Sequence, residues 1–386
     1  MYPDFSYLLH DLFGTQPDNW TAIIKTFGFF LFLSFICSGF IFYSEFLRKE
    51  KQGVLKPITV DTTQSGNFMM REILINTAIA FFFGYKIPFV VSNFDQFKTD
   101  PAAALVSGGG NIFIAIVAAV VVGTFFYFQS KKMIPKSGII QMQPHQKIGD
   151  IVTYAALFGI LGAKVFAVLE NLPAFFEDPI GTFFSGSGLT VLGGFIFATI
   201  AIFFLVRKLG LPFLDVADAG APAVITGYLV GRLGCQFSGD GDWGRINDSI
   251  KPDWFIFPDW AWSYGYPNNV SNRGQKMTDC AYQYCSELIP GVWPTPVYEV
   301  LMLGIIFGIL WYFRTRINVS GVLFFMYFLL YGIMRFLIEF IRVNDRYEFL
   351  GFEFSQAQYI SILFWFIGIG GMWYLNNKSK NPAVSS

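Results

Sequence analysis

The feature that most limits how this chain folds is a series of long apolar runs separated by charged or Pro/Gly-rich segments. A bilayer core about 30 Å thick requires roughly 20 apolar residues for one helical crossing. Nine runs of about that length occur along the 386 residues. They lie near residues 25–46, 73–91, 111–128, 148–169, 189–206, 214–237, 297–313, 321–341 and 357–375. The pattern predicts an all-α, polytopic membrane protein with about nine transmembrane helices.

The composition supports this class and argues against several others. Apolar residues make up 54% of the chain and charged residues 14%, whereas soluble domains carry about 25% charged residues. These values argue against an ordinary soluble enzyme and against a disordered chain. The 27 basic residues balance the 27 acidic residues, so no basic face for nucleic acid is expected. Membrane lipids are the expected surroundings and partners.

Basic residues follow every second run, and this distribution predicts the orientation of the chain. Clusters of Lys and Arg come after the first, third, fifth, seventh and ninth runs, and most of the alternate loops lack them. By the positive-inside rule these five sides face the cytoplasm. The N-terminus is therefore expected outside and the C-terminus inside.

The longest loop, 238–294, lies on the outer side in this topology and is rich in aromatic residues. It holds five of the nine Trp residues. Amphipathic aromatic side chains are favoured at membrane interfaces, so the loop is predicted to form a small cap there. It also contains Cys280 and Cys285. An oxidising exterior permits a disulfide between them, and a pair of free thiols is equally compatible with the sequence.

Ionisable side chains within the runs are candidates for function, because each costs at least about 2.5 to 3.5 kcal/mol at membrane depth. Arg232, Arg335 and Glu339 lie in the outer half of their runs, and Glu299 enters the same layer at the start of the seventh run. Tyr331, Arg335 and Glu339 follow one another at intervals of four residues, so the three share one face of a helix. Such a polar face must contact protein or a water-filled cavity.

Arg232 and Arg335 together predict an anion site. Two buried guanidiniums at one depth on different helices are difficult to neutralise unless an anion lies between them. A guanidinium suits bidentate contacts to phosphate, and the outer leaflet supplies phosphate in lipid headgroups. The alternative is that Arg335 is simply neutralised by Glu339 within one helix. For Lys164 and Arg342, snorkelling toward the outer headgroups is the favoured interpretation.

A glycine-rich segment at the end of the sixth run adds backbone groups and acids to this site. It reads GRLGCQFSGDGDWG and extends over residues 231–244. Gly231, Gly234 and Gly244 carry no side chain, so the backbone N–H groups near them are open to an anion. Asp240 and Asp242 bring carboxylates to the mouth of the site.

Four short motifs resemble those of bacterial prolipoprotein diacylglyceryl transferases. The glycine-rich segment resembles the family signature GRxGNFxNxExxG, although it is one residue longer. GAKVF at 162–166, PTPVYE at 294–299 and YGIMRFLIEFIR at 331–342 resemble the family's Gly-Ala-Arg helix, its HPxQxYE helix entry and its YGxxRFxxExxR helix. The order and spacing agree over residues 146–375.

The resemblance also divides the chain into segments. Residues 1–50 are an N-terminal tail and first span, and residues 146–375 are a family-like transmembrane core that includes the cap loop at 238–294. The two-span segment 51–145 has no counterpart in the resemblance and is interpreted as an insertion, which would make the chain a divergent, enlarged member. Residues 376–386 are a cytoplasmic tail.

The resemblance implies transfer of the diacylglyceryl group from phosphatidylglycerol to the lipobox cysteine thiol of prolipoproteins. It implies location in the bacterial inner (cytoplasmic) membrane, with the N-terminus periplasmic, and phosphatidylglycerol and prolipoprotein precursors as partners. The reaction requires no cofactor, and the sequence contains no cluster of metal ligands.

The same resemblance assigns the site residues. Arg232 and Arg335 stabilise the leaving phosphate, and Tyr331 with the three glycines completes the phosphate site. Two other functions stay open. One is a non-catalytic relative that binds phospholipid or lipoprotein precursors in the inner membrane, and the other is a transporter with helices broken at Gly and Pro.

One departure from the family concerns the proton acceptor. Leu192 stands where the family motif has a histidine. The two histidines of the chain, His10 and His145, lie outside the apolar runs. The expected base is therefore a carboxylate.

Glu299 and Asp240 are the candidates for this base. A carboxylate with an ordinary pKa is a poor base for a thiol, but partial burial raises its pKa and narrows the gap. Glu339 lies close to Arg335 and is expected to stay charged and to orient that arginine.

The predicted orientation is testable by cysteine labelling in intact cells. An impermeant thiol reagent should label Asn268→Cys, because residue 268 lies in the outer loop, and should not reach Lys132→Cys on the inner side. The opposite pattern would overturn the orientation.

Overall fold

The computed structural model describes residues 1–61, 65–94, 97, 107–132, 139–184, 190–349 and 351–380. Within these ranges the secondary structure is mainly helical. The helices are α1 (Phe5–Phe13), α2 (Thr26–Lys51), α3 (Ser65–Ser92), α4 (Ile112–Lys132), α5 (Ile148–Glu170), α6 (Leu172–Glu177), α7 (Pro179–Phe184), α8 (Val191–Lys208), α9 (Phe213–Ser238), α10 (Thr295–Phe313), α11 (Val322–Ile338) and α12 (Gln356–Lys380).

The strands of the described residues form antiparallel pairs. They are β1 (Ile58–Asp61) with β2 (Ile139–Met142), β3 (Gln275–Lys276) with β4 (Ser286–Glu287), and β5 (Arg346–Phe349) with β6 (Phe352–Ser355). Each pair is too short to provide a core of its own, so the helices carry the fold.

The chain divides into two compact units. The first unit consists of Met1–Leu55 together with Pro212–Ser386, and the second unit is Lys56–Leu211. These boundaries separate the parts of the chain that pack mainly within themselves. They do not test whether residues 51–145 are an insertion, which stays a prediction.

The predicted fold class is confirmed. Each of the nine apolar runs coincides with a helix in the described part of the chain. Seven of these helices are long and apolar enough to cross a membrane. The other two runs form α8, of 18 residues, and α11, of 17 residues. The protein is therefore an all-α, multi-pass membrane protein.

Helix packing in the first unit brings particular helix ends together. α9 packs against α2, α10 and α11, and α11 also packs against α12. The close approach of α2 to α9 depends on Gly234, where a Cβ would lie 2.8 Å from Cβ of Phe30. The result is that the C-terminal ends of α9 and α11 and the N-terminal end of α10 lie at the same end of the bundle, beside the cap loop.

The cap loop forms a small folded element with an aromatic core. The rings of Trp262 and Trp293 lie 4.7 Å apart between centroids, and those of Trp243 and Tyr266 lie 5.0 Å apart. Cys280 and Cys285 form a disulfide, with their Cα atoms 5.7 Å apart. Of the two states that the sequence left open for these cysteines, the structure has the bonded one.

In the second unit, two helix pairs pack closely. α3 packs against α4, and α5 packs against α8. The α5–α8 contact depends on small residues, because a Cβ on Gly162 or on Gly193 would overlap the carbonyl oxygen of the other glycine. Lys164 is a buried residue of α5.

A polar cluster ties three helices together at the end of the first unit opposite the cap loop. Nζ of Lys49, near the end of α2, lies 3.0 Å from Asp215 Oδ1 and 3.7 Å from Asp218 Oδ2. Asp218 also accepts hydrogen bonds from the backbone N–H groups of Gly321 at 2.8 Å and Phe324 at 2.9 Å. These are donors that a helix N-terminus leaves unpaired, so a carboxylate of α9 caps α11.

Lys49→Met should destabilise the first unit strongly. Two buried carboxylates would lose their cation, and removing one partner of a buried ion pair costs about 3 to 5 kcal/mol. The measurement is the unfolding midpoint in detergent, with the exposed Lys51→Met as the matched control. Equal midpoints for the two variants would contradict this role of Lys49.

Candidate functional site

The charged residues that the sequence singles out meet beside the cap loop. Arg232 lies near the C-terminal end of α9, Arg335 lies in the last turn of α11, and Glu299 lies in the second turn of α10. The C-terminal end of a helix carries partial negative charge and favours a cation such as Arg335. The ends of three helices thus bring two arginines and a glutamate into one cluster.

Glu299 is the centre of this cluster. Its side chain is fully buried and forms salt bridges with three guanidiniums. Arg232 contacts Oε2 through Nε, Arg342 Nη1 lies 3.3 Å from Oε1, and Arg335 Nη1 lies 3.7 Å from Oε1. One carboxylate therefore holds arginines from two helices and from the turn that follows α11. We call Arg232, Arg335 and Arg342 the arginine clamp.

Asp242 bridges two members of the arginine clamp. Its Oδ2 contacts Arg232 Nη1, and its Oδ1 lies 2.7 Å from Arg342 Nη2. Tyr228 supports the same arrangement from α9, because its hydroxyl accepts hydrogen bonds from Arg232 Nη2 at 2.9 Å and Nε at 3.1 Å. Arg232 is thus fixed by a carboxylate on each side and by a phenol one turn away.

Glu339 directly follows α11 and forms an ion pair with Arg335. Its Oε2 lies 3.1 Å from Arg335 Nη2, and its Oε1 accepts a hydrogen bond from Asn344 Nδ2. The Glu339 side chain is 1% exposed. This ion pair is the contact that an orienting role for Glu339 requires, and it is equally the pairing that neutralisation of Arg335 by Glu339 predicts.

Two N–H groups of the arginine clamp remain available. Arg335 Nη1 and Arg342 Nε are buried and have no hydrogen-bond partner among the described residues. Buried donors without acceptors are uncommon in proteins and costly. They are the groups that an oxyanion of a ligand would satisfy.

Tyr331 lies beside the clamp, but the predicted glycines differ in their surroundings. The rings of Tyr331 and Tyr228 lie 5.9 Å apart between centroids. Apart from the adjoining backbone of α9, no atom lies within 4 Å of where a Cβ of Gly231 would be, so there is open space beside this glycine, although its N–H lies within the helix. Gly234 faces α2, and a Cβ on Gly244 would meet the carbonyl oxygen of Ile341, so helix and loop packing explains both of these glycines.

Asp240 is close to the clamp but differs from the other acids. Its Oδ1 accepts a hydrogen bond from the backbone N–H of Asp242 at 3.2 Å. Burial raises the pKa of the Asp240 carboxyl, and the Cys235 thiol and the nearby Arg232 and Arg342 oppose that rise only in part. Its carboxylate therefore holds a proton more readily than an ordinary aspartate does.

Sequence reasoning placed Asp242 only at the mouth of the site, and it did not assign Arg342 and Tyr228 to the site. Snorkelling of Arg342 is wrong: α11 ends at Ile338, and Arg342 forms an antiparallel bridge with Gly244 that holds its side chain against the cluster. For Tyr228 the spacing held a signal, because it precedes Arg232 by four residues within α9, which places the two on one helical face.

Two further positions of the sequence analysis belong to the second unit. Leu192 lies in the first turn of α8 and Lys164 on α5. Among the residues that the structure describes, no group of His, Cys, Asp or Glu side chains is arranged to hold a metal ion.

Comparison with known proteins agrees with the motifs. The family model described as prolipoprotein diacylglyceryl transferase matches residues 112–374, which is more than half of the chain. The match begins at the start of α4 and ends within α12. It covers the whole arginine clamp and the cap loop.

Similar relatives carry a matching name. A protein of Paraburkholderia xenovorans named phosphatidylglycerol–prolipoprotein diacylglyceryl transferase is 30% identical over 249 residues, which cover 61% of this chain and 80% of the relative. Proteins with that name from Burkholderia cenocepacia and Burkholderia multivorans are each 29% identical, over 250 and 251 residues. They cover 61% and 62% of this chain and 81% and 82% of the relatives.

Proposed function

The chain belongs to the prolipoprotein diacylglyceryl transferase family, and we propose that it transfers the diacylglyceryl group of phosphatidylglycerol to the cysteine thiol of prolipoproteins. Its relatives are named for this reaction. The observation that carries the proposal is the arginine clamp, a set of three guanidiniums gathered at one end of a membrane helix bundle with two buried N–H groups unpaired.

The reaction exchanges one bond at a glyceryl carbon. The cysteine sulfur attacks the carbon that bears the phosphate, a C–S bond forms, and the C–O bond to phosphate breaks. Glycerol phosphate leaves with the electron pair of that bond, and the thiol proton passes to a base. Negative charge grows on the departing phosphate, so Arg232 and Arg335 stabilise the transition state more than the bound lipid.

We propose Asp240 as the proton acceptor, in preference to Glu299. Three arginines already occupy the oxygens of Glu299 in ion pairs, so this carboxylate serves to hold the arginines. Burial raises the pKa of Asp240, which brings it closer to that of a thiol. In this assignment Glu299 and Glu339 orient the arginine clamp, Tyr331 packs beside it, and Gly231 leaves space for the lipid. Gly234 and Gly244 act by permitting close packing.

The location and orientation follow from the same assignment. We place the protein in the bacterial inner membrane, with the N-terminus and the cap loop periplasmic and the C-terminus cytoplasmic. The basic clusters after alternate spans support this orientation. The Cys280–Cys285 disulfide of the cap loop supports it independently, because disulfides persist in the periplasm and not in the cytoplasm.

The decisive experiment is incubation of the purified protein with phosphatidylglycerol and a lipobox peptide, scored by lipidation of the peptide. Lipidated peptide together with released glycerol phosphate is the expected result. Binding of phosphatidylglycerol with no lipidation would instead identify a non-catalytic relative.

Arg232→Lys and Arg335→Lys should each lower the lipidation rate by about tenfold or more. Lysine keeps the charge but loses the planar fork that contacts two oxygens at once. The exposed Arg316→Lys at the other end of α10 is the matched control and should keep wild-type activity. Wild-type turnover in both clamp variants would exclude a role for the clamp in binding phosphate.

The lipidation rate should fall as the pH is lowered. Asp240 accepts a proton only when ionised, and because burial raises its pKa, it becomes protonated at a higher pH than an ordinary aspartate. Asp240→Asn should lower the rate about a hundredfold or more and abolish this pH dependence. The exposed Asp253→Asn serves as the control. An unchanged profile in Asp240→Asn would assign the base elsewhere, and Glu299→Gln is then the next variant.

A further inference from the structure

The arginine clamp is electrically balanced by its own chain. Its three guanidiniums contact three carboxylates, those of Glu299, Glu339 and Asp242. A bound phosphate group adds negative charge to this buried cluster. Uncompensated charge in such a place is costly, so binding is favoured when one of the three carboxylates withdraws.

The exposures of the three carboxylates show which one can withdraw. The side chains of Glu299 and Glu339 are 0% and 1% exposed, whereas that of Asp242 is 34% exposed. Glu299 belongs to α10 and Glu339 directly follows α11. Moving either carboxylate away would disturb a packed helix or the turn that ends one.

The segment that carries Asp242 is held at its backbone and partly exposed at the Asp242 side chain. It lies outside the helices, and Gly239 and Gly241 before it have φ values of 63° and 101°. Glycine adopts such conformations without the steric cost that other residues meet. The hydroxyl of Thr295 donates a hydrogen bond to the Asp242 carbonyl at 2.8 Å, and this tether holds the backbone while the side chain remains partly exposed.

We propose that Asp242 is a resident anion of the phosphate site. Its carboxylate occupies Arg232 and Arg342 while the site is empty, and it leaves them when the lipid phosphate binds. The exchange keeps the arginines paired at every stage. The inference rests on the proposed function, because it takes the phosphate of phosphatidylglycerol as the incoming anion.

Asp242→Asn tests the exchange directly. Asparagine keeps the size of the side chain but removes the competing charge, so the Kd for a short-chain phosphatidylglycerol in detergent should fall about tenfold. Asp248→Asn, which removes an exposed acid of the same loop, should leave the Kd unchanged. An Asp242→Asn protein with wild-type or weaker affinity would overturn the proposal.

The outcomes of this test separate the inference from the proposed function. Tighter binding by Asp242→Asn in a protein that lipidates no peptide would support the resident anion and contradict the transferase reaction. Normal lipidation with unchanged binding in Asp242→Asn would support the transferase reaction and contradict the resident anion. Failure of both wild type and Asp242→Asn to bind phosphatidylglycerol would overturn both.

Discussion

Charge compensation around Glu299 is the constraint on which the rest of the site depends. Three guanidiniums at membrane depth are stable only if carboxylates approach them from other parts of the chain. Glu299, on α10, contacts all three: Arg232 on α9, Arg335 in the last turn of α11, and Arg342 in the turn that follows α11. A shift of any of these helices by one turn would separate a charge from its partner, so the ion pairs fix the relative positions of the three helices.

This compensation also prepares the site for its chemistry. In the proposed reaction, Glu299 holds Arg232 and Arg335 in place before any lipid arrives, so these two side chains need little reorganisation when charge develops on the leaving phosphate. Arg335 Nη1 and Arg342 Nε, which lack hydrogen-bond partners among the described residues, would gain acceptors from a bound anion.

The opposite end of the first unit supplies the rigidity that such a site requires. Lys49 joins α2 to α9, and Asp218 joins α9 to the first turn of α11. The helices that carry Arg232 and Arg335 are thus held at both ends. At the Lys49 end, a lysine and the backbone N–H groups of α11 satisfy the buried carboxylates of α9. At the end beside the cap loop, arginine side chains do so.

The sequence by itself predicted the fold class, the approximate spans and five charged or phenolic residues of the site within those spans, because a bilayer demands long apolar runs and makes each ionisable residue within them conspicuous. These residues are Arg232, Glu299, Tyr331, Arg335 and Glu339. Helical spacing further showed which residues share a face. It did not show which helices are neighbours, and so the pairing of Glu299 with three arginines, the return of Arg342 to the site and the bridging position of Asp242 were decided by tertiary structure alone. The packing role of the glycines belongs to the same class. Each depends on the distance between segments far apart in the chain, which periodicity along one segment does not contain.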